Sequence, residues 1–286
     1  MKNLYKVTQE VIPPILFNTF KNSVFYKKLK PIVKKVVEKK IPPSWNQVSK
    51  GVLKGTWLFF YPLGEWQAKM LAEEYDKELF DALRKLNLKG KTIFDIGSHI
   101  GYHSIFFSKL VGPTGEILAF EPNPFNADRI QKNVDKNLIK NIKVNNIALS
   151  SENSETDFLF SENIENGTSS GGFIDESDTF YSKDTYENGI GFKRMKVITQ
   201  KIDNLEKIKN NTLKIDILKI DVEGAESLVL EGGINTILRD EPIILIEIHT
   251  ISNMFYFMDF INRINYTYNL LKKEPDGRHL ILAKKK

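Results

Sequence analysis

The chain has 286 residues, of which 41% are hydrophobic and 27% charged, values typical of a globular protein with a substantial core. The absence of cysteine excludes disulfide frameworks, thiolate metal sites and cysteine nucleophiles. No apolar run approaches the ~18 residues that a transmembrane helix needs, and residues 11–17, with two prolines, do not form a secretory signal. We therefore expect a cytoplasmic protein.

The positive charge is concentrated at the N-terminus. Residues 1–50 contain 11 lysines against Glu10 and Glu38, so this segment carries about +9 and the remainder about −4. Residues 20–40 place apolar side chains among the lysines at roughly helical spacing. We interpret residues 1–65 as a basic, helical extension packed on the main domain; the alternative is an amphipathic element on a membrane surface or an acidic polymer. Nucleic acid is disfavoured because no recognised binding motif accompanies the charge.

The main domain, residues 66–286, begins with alternating helices and strands. Apolar residues at three- and four-residue spacing predict a single helix over residues 65–88, which Gly90 ends. The next predicted elements are strands at 93–96, 116–121 and 142–149 and helices at 102–110 and 126–137. This alternation predicts a parallel, doubly wound sheet.

The alternation stops between residues 150 and 211. Residues 152–187 hold ten acidic side chains and one lysine, around a Gly- and Ser-rich centre at 166–172. A long polar interval inside a compact domain is usually functional or disordered. Because short apolar stretches at 158–160 and 195–199 resemble strands, we expect a partly ordered acidic lid.

The last third of the chain returns to regular elements and ends in a hairpin. The predicted elements are strands at 215–220, 242–247, 266–272 and 279–283 and a helix around 255–262. The stretch Glu274-Pro275-Asp276-Gly277 is typical of a turn. The two strands that it joins must be antiparallel, because the connection is too short for a crossover.

Ligands of doubly wound sheets bind outside the carboxyl ends of the strands, near the point where the strand order reverses. Three such ends carry polar residues here, at 95–101, 121–123 and 221–224, and the fifth strand adds Glu247 and His249. We expect these four segments to converge on one site.

The loop after the first strand indicates which cofactor the site holds. Glycines at 97 and 101 allow the backbone to approach a ligand, and Glu121 could accept two hydrogen bonds from a ribose diol. A dinucleotide fingerprint requires a glycine where this chain has His99, and Asp95 would repel a pyrophosphate. Asp95 suits a cofactor with a cationic amino group. The pattern favours S-adenosylmethionine over NAD; an NAD-dependent oxidoreductase and a non-catalytic glycan- or membrane-binding module are the alternatives.

Longer motifs carry a resemblance to a known family. They are TIFDIGSHIGYHS at 92–104, FEPNP at 120–124, IALS at 147–150, LKIDVEGAE at 218–226 and ILIEIH at 244–249. Over roughly residues 74–249 the chain resembles the FkbM-type methyltransferases. This resemblance implies a class I methyltransferase (Rossmann-like) fold with a mostly parallel seven-stranded sheet, S-adenosylmethionine as cofactor, and O-methylation, often of sugar or natural-product hydroxyls. The family usually reads G-A-N-x-G at 97–101; His99 replaces the asparagine and can still donate a hydrogen bond.

The resemblance also implies roles for individual residues. A loop near the methionine end would contain Asp95, Gly97, His99 and Gly101. Glu121 would hold the ribose with Asn123 beside it, and the segment from Asn146 to Ala148 would flank the adenine.

Four further side chains are candidates for the reaction, namely Asp221, Glu223, Glu247 and His249. Methyl transfer requires an acceptor oxygen in line with the sulfonium methyl, and a carboxylate or histidine can accept the hydroxyl proton. Alternatively, Asp221 with Glu223 or His249 could hold a divalent cation that lowers the pKa of the acceptor. Because a fold does not determine its substrate, the sequence predicts only the class of the acceptor, a small molecule or glycan. Glu226 is interpreted as compensating the dipole of the helix that follows.

Overall fold

The computed structural model describes residues 43–60, 65–161, 172–175, 177 and 192–286. The strands are β1 (Ser44–Gln47), β2 (Trp57–Phe60), β3 (Thr92–Ile96), β4 (Glu116–Phe120), β5 (Ile142–Asn145), β6 (Ala148–Leu149), β7 (Ser154–Ser161), β8 (Phe173–Ile174), β9 (Phe192–Gln200), β10 (Ile217–Ile220), β11 (Ile243–Ile248), β12 (Tyr266–Lys273) and β13 (His279–Lys285). The α-helices are α1 (Glu65–Leu71), α2 (Lys77–Arg84), α3 (Tyr102–Val111), α4 (Pro124–Lys136), α5 (Glu206–Lys209), α6 (Glu226–Gly232), α7 (Ile234–Asp240) and α8 (Ile251–Arg263).

A seven-stranded sheet forms the centre of the fold, in the order β12-β13-β11-β10-β3-β4-β5. The five strands from β11 to β5 pair in parallel, whereas β13 is antiparallel to both β11 and β12. This arrangement confirms the predicted doubly wound sheet with a C-terminal antiparallel hairpin. The chain runs outward from β3 through β4 to β5 and, on the other side, from β10 to β11, so the strand order reverses between β3 and β10.

Helices cover both faces of the sheet because successive strand residues point to opposite sides. Ile93 of β3 belongs to the apolar core that α2, α3 and α4 cover, whereas Phe94 belongs to the core under α6, α7 and α8. Strands buried on both faces are apolar almost throughout, as in the fully buried sequence ILKI of β10.

The region predicted as one helix over residues 65–88 is two helices, so that prediction was wrong. The chain breaks between α1 and α2, where Glu73 and Asp76 adopt left-handed backbone angles, φ 53° and 49°. The Glu73 carboxylate accepts hydrogen bonds from the backbone N–H groups of Val52 and Leu53 and pairs with Arg84. These tertiary contacts hold a conformation that helical periodicity does not reveal.

The predicted strand 142–149 is also divided, into β5 in the main sheet and β6 in a second sheet. The side-chain amide of Asn146, between them, donates to the carbonyls of Glu121 and Pro122, 2.8 and 2.9 Å away. These bonds hold the chain where it leaves the main sheet.

Much of the predicted lid forms this second sheet, in the order β6-β9-β7-β8. The strands predicted at 158–160 and 195–199 are present and longer than expected, as β7 and β9. The Gly- and Ser-rich centre lies outside the described residues except for Gly172. The small sheet has its own apolar cluster, to which Ala225 from the end of the β10 loop contributes.

The described part of the N-terminal segment forms a β-hairpin. Residues 1–42, which include the predicted helix at 20–40 and most of the proposed membrane-contact segment, lie outside the described residues. From residue 44 to 60 the chain forms two antiparallel strands joined by a loop, and no helix. Backbone N–H groups of β2 donate to Asn133 of α4 and to Asn137 just after it, 2.6 and 2.8 Å away. In the described ranges no helix is long and apolar enough to cross a membrane.

Candidate active site

The carboxyl ends of β3, β4 and β10 and the last residues of β11 open into a cavity of about 710 Å³, the central cavity. Its remaining walls come from α1, the second sheet and the turn between β12 and β13. The volume lies in the range of about 300–1,000 Å³ that small-molecule sites occupy. The four predicted segments therefore do meet at one site.

The loop after β3 lies directly against the loop after β10. Gly97 has φ 77°, and a β-carbon on it would lie 1.8 Å from the carbonyl oxygen of Asp221, so only glycine fits. His99 has φ 51°, an uncommon angle for a residue other than glycine. Both residues line the central cavity.

Glu121 joins the loops after β3 and β4. It is 5% exposed, and its carboxylate accepts the backbone N–H of His99 at 2.8 Å and that of Asn123 at 3.1 Å. Burial raises the pKa of Glu121 to about 7, although these donors act to lower it. The carboxylate lies on the cavity wall, so it is available to hydroxyl donors of a ligand.

Asn123 presents an unsatisfied donor to the same end of the cavity. Its side-chain oxygen accepts the N–H of Phe125, 3.0 Å away, and so caps α4. Its buried Nδ2 has no hydrogen-bond partner among the described residues. Buried amide groups are normally satisfied, so this orphan N–H group fits a polar ligand such as a nucleoside.

Ala148 lines the cavity beside Ile147, but three residues predicted to bind cofactor do not. Asp95 is fully buried, bonded to the Ser104 hydroxyl and 3.2 Å from the ammonium of Lys219. Gly101 ends the loop with φ 81°, and a β-carbon there would meet Ile130. Asn146 holds the backbone after β4, as described above. These three residues shape the loops from behind the wall.

Asp221, Glu223 and Glu247 also line the cavity and form its carboxylate-rich end. His249 lies just behind them, 1% exposed, and its Nε2 is 3.7 Å from Asp221 and 3.4 Å from Glu223. Its Nδ1 bonds to Glu226 at 2.8 Å. Burial acts to lower the pKa of His249, but the neighbouring carboxylates outweigh it and raise the pKa to about 10. The structure thus brings together all four residues predicted for the reaction.

Lys219 connects the two loops from beneath. Its ammonium lies 3.2 Å from Asp95 and 3.4 Å from Asp221, and it donates to the carbonyl oxygen of Gly97 at 3.1 Å. Burial disfavours its charge, yet the two carboxylates raise the pKa of Lys219. Burial would likewise raise the pKa of Asp221, but Lys219 and His249 hold it below its ordinary range.

The remaining two acids are less well compensated. Arg278, in the turn before β13, donates to Glu247 at 2.8 Å; burial and the Asp221 charge nevertheless raise the pKa of Glu247 to about 8. Burial also raises the pKa of Glu223, whose backbone has φ 53°. Uncommon backbone angles at both cavity loops, here and at His99, are typical of functional sites.

Three charged residues of the site were not predicted. Lys219 had a sequence signal, a lysine in an otherwise apolar buried strand, which must have a charged partner. Glu226 was interpreted as a helix-dipole residue; it does accept the N–H of Gly224, but it is buried and also holds His249. Arg278 had no signal beyond its place beside a turn.

The residues that could hold a metal ion overlap with the predicted sets, which were Asp221 with Glu223 or Asp221 with His249. In the described part of the chain, one ligand atom each from Asp221, Glu247 and His249 lie within 4.8 Å of one another. Glu223 is not in this group.

Comparison with known proteins gives a match to the family model described as "Methyltransferase FkbM domain", over residues 95–268. The match covers more than half of the chain. It includes the β3, β4, β10 and β11 segments that form the central cavity.

Individual relatives are more distant. The chain is 29% identical over 158 residues to the hexuronic acid methyltransferase AglP of Haloferax volcanii, covering 55% of each chain. It is 25% identical to Methyltransferase 1 of Beauveria bassiana, covering 49% of this chain and 57% of that protein. It thus spans little more than half the length of these two relatives. A solved structure of an FkbM methyltransferase from Methylobacillus flagellatus is 15% identical, with a TM-score of 0.48 over 70% of this chain and 45% of that one.

The resemblance of the sequence motifs, the doubly wound sheet and the family match over residues 95–268 agree. The chain belongs to the FkbM methyltransferase family, whose members use S-adenosylmethionine.

Proposed function

We propose that the protein is an S-adenosylmethionine-dependent O-methyltransferase that acts on a hydroxyl group of a sugar, a glycan or a related small molecule. One observation carries the proposal: a single cavity has a nucleoside-compatible end at Glu121 and Asn123 and a carboxylate-rich end at Asp221, Glu223 and Glu247. The cofactor supplies an electrophilic methyl group on a sulfonium. In the reaction the carbon–oxygen bond forms, the carbon–sulfur bond breaks with its electron pair remaining on sulfur, and the hydroxyl proton passes to the protein.

At the nucleoside end, Glu121 accepts hydrogen bonds from the two ribose hydroxyls, and the orphan N–H group of Asn123 donates a hydrogen bond to the same ligand. Ala148 and Ile147 provide an apolar wall for the adenine. Gly97 and His99 form the loop at the methionine end. Lys219 donates a hydrogen bond to the carbonyl oxygen of Gly97 and so fixes the position of this loop relative to the acceptor end.

At the acceptor end, Glu223 accepts the hydroxyl proton. Asp221 is paired with Lys219, and Glu247 is paired with Arg278. Within the described ranges Glu223 has no lysine or arginine at ion-pair distance, and its side chain is 29% exposed. Of the three carboxylates, that of Glu223 is therefore the most available to accept a proton. Positioning it beside the acceptor oxygen would contribute about 10²–10⁴-fold to the rate.

The acceptor class follows from the chemistry of this end. Carboxylates and Arg278 are suited to hydrogen bonding with a polyol, which has many hydroxyl donors and acceptors. The relative named as a hexuronic acid methyltransferase supports a sugar acceptor. A neutral sugar suits the surplus of carboxylates better than an acidic one, since like charges repel.

Methyl transfer with isotope-labelled S-adenosylmethionine tests the proposal. The wild-type chain is incubated with neutral sugars, hexuronic acids and glycan extracts, and mass spectrometry locates the label. We expect label on a hydroxyl oxygen. Glu223→Gln should reduce kcat by at least about 100-fold while leaving affinity for S-adenosylhomocysteine unchanged, because Glu223 acts on the proton rather than on the cofactor.

The matched control is Glu231→Gln on α6, outside the cavity lining, which should retain full turnover. Label on nitrogen or carbon would contradict O-methylation. Cofactor binding without transfer to any of these acceptors would instead favour a non-catalytic binding module.

A further inference from the structure

The acceptor end of the central cavity contains a set of potential metal ligands. Single ligand atoms of Asp221, Glu247 and His249 lie within 4.8 Å of one another. Ligands around one divalent cation, each about 2.0–2.2 Å from it, are at most roughly 4.4 Å apart. Small rotations of the two carboxylates, which are partly exposed, would close the remaining gap.

The orientation of His249 is an independent indication. Its Nδ1 is held at 2.8 Å by Glu226, and both side chains are 1% exposed. Its Nε2 is buried, points toward the carboxylates and makes no hydrogen bond within the described ranges. Metal-ligating histidines typically bond one ring nitrogen to a carboxylate and present the other to the ion, which is the arrangement of His249 and Glu226.

The surrounding side chains leave ligand atoms available. The carboxylates of Glu223 and Glu226 also face His249, and the cations paired with the acids of this group are Lys219 and Arg278. Glu247 uses one oxygen for Arg278, which leaves the other for a metal ion.

We propose that Asp221, Glu247 and His249 bind a divalent transition-metal cation, of the Mn²⁺ type, in the wall of the central cavity. Two carboxylates and one imidazole are a mixed oxygen and nitrogen set, which suits Mn²⁺ or Zn²⁺ better than Ca²⁺. This site extends the proposed function, since an ion there faces the space assigned to the acceptor and could bind its hydroxyl. The binding itself requires neither cofactor nor acceptor.

Manganese binding is tested on the full-length chain after treatment with a chelator and desalting. Free Mn²⁺ is measured by electron paramagnetic resonance during titration with MnCl₂, without cofactor or acceptor. We expect one site per chain. His249→Ala and Glu247→Gln should each weaken binding by more than about tenfold, and Glu226→Gln, which removes the carboxylate that holds His249, by about 10- to 100-fold.

Asp128→Asn is the matched control, because this exposed carboxylate on α4 pairs only with Lys132 among the described contacts; Mn²⁺ affinity should be unchanged. Calorimetry with S-adenosylhomocysteine shows whether each variant still folds and binds cofactor. A wild-type chain that binds cofactor but no Mn²⁺ would overturn the metal site and leave the proposed methyl transfer intact. Equal Mn²⁺ binding by wild type, His249→Ala and Glu247→Gln would also overturn the proposed metal site.

Discussion

Glu121 has two roles: it stabilises the fold, and we propose that it binds the cofactor. Its carboxylate fixes the relative position of two loops by accepting the N–H groups of His99 and Asn123. The same group lines the cavity in a site where burial opposes its charge. Two ribose hydroxyls would be charge-assisted donors to the carboxylate, and such bonds contribute more than neutral ones.

The pKa of about 7 makes cofactor binding dependent on pH. Ribose hydroxyls favour the ionised carboxylate, so binding lowers this pKa and releases a proton when the free protein is protonated. Affinity should therefore be highest above pH 7 and fall as the pH drops below it, by roughly tenfold between pH 8 and pH 6. Calorimetry with S-adenosylhomocysteine over this range measures the effect.

Glu121→Gln removes this charge, together with one of the two oxygens that accept the N–H groups of His99 and Asn123. The amide keeps an acceptor oxygen but loses the charge, so affinity at pH 8 should fall about tenfold, equivalent to about 1.4 kcal/mol, and the pH dependence should flatten. Glu152→Gln, at an exposed carboxylate outside the cavity lining, serves as the control. An unchanged pH profile in Glu121→Gln would mean that Glu121 does not hold the ribose.

At the scale of single residues, the sequence predicted which side chains come together better than what each contacts. Glu121, Asn123 and Asp221 follow buried strands and Glu247 lies near the end of one, and parallel strands bring such positions to one edge. Asp95 follows the same rule yet faces Lys219, because the lysine enters from the neighbouring strand through a parallel register that sequence alone does not give.

At the scale of secondary-structure elements, Glu73 joins the N-terminal hairpin to the break between α1 and α2. Glu73 has a 2% exposed side chain and binds the backbone of the β1–β2 loop and the guanidinium of Arg84. Without it, two backbone N–H groups would lose their acceptor, and the partly buried Arg84 would keep only Asp81 among its described carboxylate partners. α1 also supplies Trp66 and Met70 to the central cavity, so this contact supports one of its walls.

Glu73→Ala should therefore lower the free energy of unfolding by about 2–4 kcal/mol, measured by urea denaturation. Glu74→Ala is a matched control one residue away, since Glu74 is 58% exposed and its contact with Lys50 is 3.8 Å long. It should change stability by less than about 0.5 kcal/mol. Equal destabilisation by both substitutions would show that the buried carboxylate does not anchor the hairpin.

The boundaries of elements were predictable only where local signals decide them. The hairpin turn at 274–277 was predicted correctly because turn chemistry is local, whereas the helix predicted to end at Gly90 ends at Arg84. The break after α1 and the passage from β5 to β6 were not predicted, because Glu73 and Asn146 act through partners 20 or more residues distant.

At the scale of the whole molecule, the doubly wound sheet places a nucleoside-compatible end and a carboxylate-rich end in the lining of one cavity. The loops after β3 and β10 touch at Gly97, and Lys219 ties them together, so the two ends have a fixed relation. Such fixed positioning is the main requirement for in-line methyl transfer. The alternation of strands and helices predicted this layout, but not the walls that Arg278 and the second sheet add.

The most direct test of the account is calorimetric titration of the purified chain with S-adenosylhomocysteine and, separately, with NAD. We predict that S-adenosylhomocysteine binds once per chain and that NAD does not bind, because His99 replaces the second glycine of a dinucleotide fingerprint in the loop after β3. Binding of NAD without binding of S-adenosylhomocysteine or S-adenosylmethionine would contradict the account.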